Sequence, residues 1–108
     1  MPVRNVRRRY LDIRVRYDSD ITEHDLYEAI QKEIHFLYGV KGSSEANFRM
    51  IEYSPEERQG IIRCNQSRLT ETRAAVAHVT EINGLPASIQ VVAVSGTIKS
   101  LKKKRVVD

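Results

Sequence analysis

Residues 9–17, RYLDIRVRY, alternate strictly between the two sides of an extended chain. Apolar or aromatic side chains recur at every second position from Leu11 to Tyr17. The intervening positions carry Tyr10, Asp12 and two arginines. This period of two predicts a half-buried β-strand with a polar, arginine-bearing outer face.

The remaining sequence predicts two helices and three further strands. Thr22 is interpreted as a helix N-cap with Asp25 as its capping-box partner, and Gly39 as the end of that helix. Residues 41–46 are expected to form a loop. Ser67 is expected to cap the second helix, and Asn83-Gly84 to stop it. The predicted elements span residues 9–17, 22–39, 47–53, 60–65, 67–82 and 89–95.

The predicted order β-α-β-β-α-β indicates an α+β fold. It is the split β-α-β sandwich of ferredoxin-like and RNA-recognition-motif-like domains, with two helices on one face of a four-stranded antiparallel sheet. Residues 1–108 are expected to form one domain. A flexible basic arm (1–8) precedes it. A basic segment (97–108) ends it, as either a tail or a short docked helix. Strands one and four are neighbours in this fold, so the basic ends should converge.

The positive charge is concentrated at the two ends of the chain. Residues 1–16 and 99–108 together carry a net charge of +9, whereas residues 17–98 carry −5, giving +4 overall. Such ends favour a polyanionic partner, RNA above all, although solubilising tails are the alternative. The side chains expected to contact RNA are Arg7, Arg8, Arg9, Arg14, Arg16, Thr97, Lys99, Lys102, Lys103, Lys104 and Arg105. The third strand has no aromatic residue on which bases could stack, so backbone and shape recognition is expected.

The outer face of the sheet is a second candidate surface. Alternation could place Ile51, Tyr53, Ile61, Val92 and Val94 there, mixed with arginines. Such a mixed surface suits a protein partner or self-association. The alternative, weighed evenly, is that the C-terminal segment folds back over it.

The sequence offers no constellation for a catalytic centre or a metal site, and no cofactor is expected. The histidines lack ligand-like spacing. The single cysteine, Cys64, falls in an apolar run and is interpreted as a core thiol. No apolar stretch is long enough for a membrane span, and the charged start does not fit a secretory signal, so an intracellular protein is expected.

Three segments resemble the ribonuclease P protein component 2 family. The opening Arg-Arg-Arg-Tyr-Leu (7–11) is similar to the family's first strand. Gly-Ile-Ile-Arg-Cys (60–64) resembles its hairpin strand, and Ser-Gly-Thr-Ile-Lys (95–99) its fourth strand and the segment after it. The resemblance covers nearly the whole chain. The chain is short and lacks a long acidic extension, which is typical of archaeal members.

The resemblance implies a noncatalytic subunit of an endoribonuclease, a hydrolase that removes 5′ leaders from precursor tRNA in the cytoplasm. Catalysis would reside in the RNA subunit, with magnesium. The implied partners are that catalytic RNA, the barrel-fold protein component 3 and, indirectly, precursor tRNA. A ribosomal or other ribonucleoprotein protein of the same fold is the main alternative. An acylphosphatase-type enzyme is disfavoured because Asp18 and Asp20 would repel a phosphate.

Overall fold

An antiparallel sheet and three helices make up the part of the chain that the computed structural model describes, residues 7–106. The predicted order of elements is confirmed, with additions. The elements are β1 (Arg8–Tyr17), α1 (Glu23–Ala46), β2 (Arg49–Ser54), β3 (Gln59–Asn65), a 3₁₀ turn (Gln66–Arg68), α2 (Leu69–His78), β4 (Glu81–Ile82), β5 (Leu85–Ser95) and α3 (Ile98–Val106).

The sheet has five strands in the order β2-β3-β1-β5-β4, so the prediction of four strands was wrong. The added strand, β4, is two residues long and pairs with the start of β5. Asn83 and Gly84 both have positive φ and form the two-residue turn between β4 and β5. An Asn-Gly pair is typical of such tight hairpins, and here it does not stop a helix. The last strand consequently begins at Leu85 rather than Ile89.

Helix α1 starts where the sequence predicts it. The Thr22 Oγ1 accepts a hydrogen bond from the Asp25 backbone N–H at 3.1 Å, which confirms the N-cap. Gly39 breaks the regular geometry with φ 73°, but the chain resumes a helix and continues to Ala46. The predicted loop at 41–46 was therefore wrong. The Ser67 cap was wrong as well, because Ser67 lies in the 3₁₀ turn before α2.

The main core lies between one face of the sheet and helices α1 and α2. Leu11, Ile13 and Val15 of β1 are buried in it, as the alternation predicts, and so is Cys64. Burial raises the pKa of the Cys64 thiol, which fits an unreactive core residue. The predicted flexible basic arm (1–8) falls mostly on residues 1–6, which lie outside the described residues. Arg8 already belongs to β1.

Helix α3 covers the opposite, outer face of the sheet. Leu101 of α3 is fully buried, and so is Ile61 of β3, which pairs with Asp12 in the register of β1 and β3. Asp12 alternates with the core residues Leu11 and Ile13, so this contact lies on the face away from α1 and α2. The alternative in which the C-terminal segment folds back over the sheet is therefore confirmed.

Gly60 is a position where β3 tolerates no side chain. A Cβ there would lie 2.8 Å from the Glu52 carbonyl oxygen of β2. Gly60→Ala should therefore lower the free energy of unfolding by about 1–3 kcal/mol, measured by urea denaturation. Gly96→Ala is the matched control, because its Cβ would meet only the end of the long Arg9 side chain, which can turn aside, and the change should cost less than about 0.5 kcal/mol. Equal losses would contradict the backbone clash.

Candidate nucleic-acid interface

The start of β1 and the end of β5 meet at one edge of the sheet. Tyr10 pairs with Ser95, and the guanidinium of Arg9 lies so close to Gly96 that a Cβ there would be 2.7 Å from its Nη1. The predicted convergence of the two ends is thus confirmed for the described residues. We call Arg7, Arg8, Arg9 and Lys99 the basic edge.

Backbone pairing and a helix cap hold the basic edge in place. The Gln66 N–H donates to the Arg7 carbonyl at 2.8 Å, which anchors the start of β1. Thr97 caps α3, since its Oγ1 accepts from the Ser100 N–H at 3.1 Å. The first turn of α3, with exposed Lys99, therefore projects from the end of β5. The positive end of the helix dipole adds to the positive potential of these side chains.

Arg105 anchors the far end of α3 to the sheet. Its Nε donates to Asp12 Oδ2 at 2.9 Å, and its Nη2 donates to Asp12 Oδ1 at 2.8 Å and to the Gly60 carbonyl at 3.2 Å. The Arg105 side chain is only 18% exposed. The guanidinium is therefore held by internal acceptors, and contact of Arg105 with RNA phosphates stays a prediction.

Asp12 is a buried carboxylate with two arginine partners. Burial alone would raise its pKa, but hydrogen bonds from Arg105 and then Arg14 outweigh that effect and lower the pKa below its ordinary value. The carboxylate is consequently charged in the folded chain at neutral pH. It joins β1 to α3 across 93 positions of sequence.

The other predicted RNA contacts fall into two groups, side chains that pair within the chain and side chains that are exposed. Lys102 pairs with Glu52 at 3.1 Å, and the Lys104 Nζ donates to the Val94 carbonyl at 3.0 Å. Arg14 is turned toward Asp12. Lys103 is exposed, with no ion pair or side-chain hydrogen bond to residues 7–106. Arg16 is exposed as well, near the opposite end of β1 from the basic edge.

The predicted protein-binding residues do not share an open surface. Ile61 does lie on the outer face but is 0% exposed. Tyr53 and Val94 pack against the main core instead, so their predicted orientation was wrong. Irregularities in strand register at β2 and β5 break the simple alternation on which that prediction rested. Ile51 is half-buried and stays a predicted contact.

Two arginines were not predicted to contact RNA but extend the basic surface. Tyr10 pairs with Arg63, and Arg63 pairs with Arg49 on the next strand, so the three side chains form a row on one face of the sheet. The sequence already indicates that Arg63 lies on the face of the sheet away from the main core, because it alternates with Ile62 and Cys64. Its position opposite Tyr10 needed the strand register.

Two further observations concern metal binding and membrane insertion. Within 7–106 there is no group of three or more His, Cys, Asp or Glu side chains that could hold a metal ion. None of the helices described here has the length and apolar character needed to cross a membrane.

Comparisons with known proteins agree with this architecture. Residues 9–106 match the model of the Rpp14/Pop5 family. The chain is 31% identical over 104 residues to ribonuclease P protein component 2 of Methanosarcina barkeri, covering 96% of this chain and 76% of that protein. It is 32% identical over 103 residues to the protein of the same name from Pyrococcus horikoshii, covering 95% and 86%. A chain in the cryo-EM structure of yeast ribonuclease MRP shares the fold, with a TM-score of 0.71 at 9% identity, covering 96% and 95% of the two chains. This chain belongs to the Rpp14/Pop5 family.

Proposed function

We propose that this chain is a noncatalytic protein subunit of an archaeal ribonuclease P, acting in the cytoplasm, and that it binds the catalytic RNA through the basic edge. The convergence of Arg8, Arg9 and Lys99 at one edge of the sheet carries the proposal. The names of its archaeal relatives supply the assembly. Cationic side chains there would displace counterions from RNA phosphates and lower the repulsion between the catalytic RNA and precursor tRNA.

In this proposal the RNA subunit catalyses the reaction. Magnesium would serve the RNA subunit, which would cleave the 5′ leader from precursor tRNA. The protein would contribute positive charge in a fixed geometry. We further propose that component 3, the barrel-fold protein, is its protein partner. Ile51, which is half-buried, is the remaining candidate contact.

Reconstituted cleavage tests the proposal directly. Precursor tRNA is incubated with the catalytic RNA and component 3, with and without this chain, at moderate magnesium. Correct 5′ cleavage is expected to rise when this chain is added. Unchanged cleavage with intact RNA binding would contradict the ribonuclease P role and move the chain to another ribonucleoprotein.

A further inference from the structure

The edge of β5 away from β1 is an unpaired strand edge over most of its length. β4 pairs only with the start of β5, and the last backbone contact on that side is the Ala87 N–H donating to the Thr80 carbonyl at 2.9 Å. Beyond that point, no strand within residues 7–106 pairs with this edge. Residues 88–95, SIQVVAVS, carry no charge. Native proteins usually protect exposed edges with charges, prolines or a cover.

The register identifies which backbone groups point outward from this edge. Ala87 points to the β4 side, and N–H and C=O groups alternate sides along a strand, so those of Ile89 and Val91 also point away from β1. Val15, opposite Ile89, donates its own N–H to the Arg58 carbonyl on the other side of β1, which supports this orientation. Gln90, by contrast, points its backbone groups toward β1.

A groove runs along this edge between β5 and α2. Its volume is about 430 Å³, and Val76, Ile89 and Val91 are among its lining residues. Arg16 and Arg73, both exposed, also line it, from β1 and α2 respectively. Among the described residues, no acidic side chain lines the groove. Within the described chain, neither arginine lies within 4.0 Å of a carboxylate.

We propose that this groove binds an extended acidic segment of another protein, which adds to the sheet beside β5. The outward backbone groups of Ile89 and Val91 would pair with the segment's main chain, as in other cases of strand addition. Its apolar side chains would contact half-buried Val91, and its carboxylates would pair with Arg16 and Arg73.

Two other occupants fit the groove less well. A second copy of this chain would bring four arginines together with no acid among the lining residues. RNA would satisfy the arginines but leave the outward N–H and C=O groups of β5 and the half-buried Val91 side chain without matching groups. The groove is also separate from the basic edge, because Arg16 lies about 26 Å along β1 from Arg8 at strand spacing.

Titration of the isotope-labelled full chain with a blocked five-residue peptide of alternating glutamate and valine tests this inference. We expect backbone amide shifts and slowed hydrogen exchange at Ile89 and Val91, but not at Gln90. A peptide methylated at its amide nitrogens should not bind, nor should a lysine-valine peptide. The inference is overturned by no response at millimolar peptide, by equal binding of the lysine peptide, or by protection of the same amides with oligouridine instead.

Removing one arginine provides the matched test on the protein side. Arg73→Gln should weaken binding of the glutamate-valine peptide about threefold to fivefold, as for other exposed ion pairs. Lys32→Gln on α1 removes the same charge from a residue outside the groove and should leave the affinity unchanged. Equal losses of affinity in the two variants would mean that only net charge matters and would overturn the proposed peptide site. Both replaced side chains are exposed, so both variants should fold.

Discussion

Replacing Arg105 with alanine is expected to lower the free energy of unfolding by about 3 kcal/mol, because it leaves the buried Asp12 carboxylate short of a partner. Asp12 is 2% exposed and receives two hydrogen bonds from Arg105. In the variant only Arg14 would remain beside it, and the Gly60 carbonyl would lose a donor. Urea denaturation of the two chains measures the difference.

Lys103→Ala is the control for this prediction. It lies on the same helix and removes the same charge, but its side chain is exposed, so the change should stay within about 0.5 kcal/mol. An Arg105→Met variant separates charge from packing. If methionine restored most of the stability, the arginine stem rather than the pairing with Asp12 would hold α3.

The acid limb of the stability curve provides an independent measure of this pairing. The folded pKa of Asp12 is lowered, so its stabilisation is complete above the unfolded pKa of about 3.9 and is lost as the pH falls through the folded value. Asp12→Asn removes the titrating group. The unmodified chain should therefore lose more stability than Asp12→Asn between about pH 5 and pH 2. Equal losses of stability in the two chains as the pH falls would show that ionised Asp12 does not stabilise the fold.

Local patterns predicted the part of the fold that depends on nearest neighbours. The alternation around Leu11 defined β1, and Thr22 defined the start of α1. The errors occurred where one local signal suits two structures. Asn83-Gly84 can stop a helix or turn a hairpin, and only the pairing of Thr80 with Ala87 decides between them. Gly39 breaks the helical geometry, but the sequence does not show that the helix resumes.

The candidate site was predictable in its location but not in its detail. Topology alone brings Arg9 to Gly96, since neighbouring antiparallel strands place those ends together. The run of basic residues at 102–105 does not reveal which side chains pair internally. Arg105 is committed to Asp12, and Lys102 to Glu52, through contacts that depend on how α3 crosses the sheet.

The geometry of α3 leads to a sharper prediction for RNA binding than the charge run alone. Leu101 and Arg105, one turn apart, face the sheet, so Lys99 and Lys103 lie one turn apart on the exposed side of α3. Arg8 of the basic edge is exposed as well. These three cations have no ion pair within residues 7–106 and are available for phosphates.

The triple variant Arg8→Gln, Lys99→Gln and Lys103→Gln should weaken binding to the catalytic domain of an archaeal ribonuclease P RNA about a hundredfold at 0.1 M salt. Each lost phosphate contact reduces counterion release, so the slope of log K against log salt should flatten by about 2–2.7 in total. Filter binding or fluorescence anisotropy over a salt series gives both values.

The control triple, Lys32→Gln, Lys41→Gln and Arg73→Gln, removes the same charge from exposed positions on α1 and α2 and should preserve the slope. Equal flattening in both triples would show that RNA responds to net charge and would contradict an interface at the basic edge and α3. A flattened slope in the first triple alone would mean that the fold, by joining two distant basic clusters, creates the binding surface.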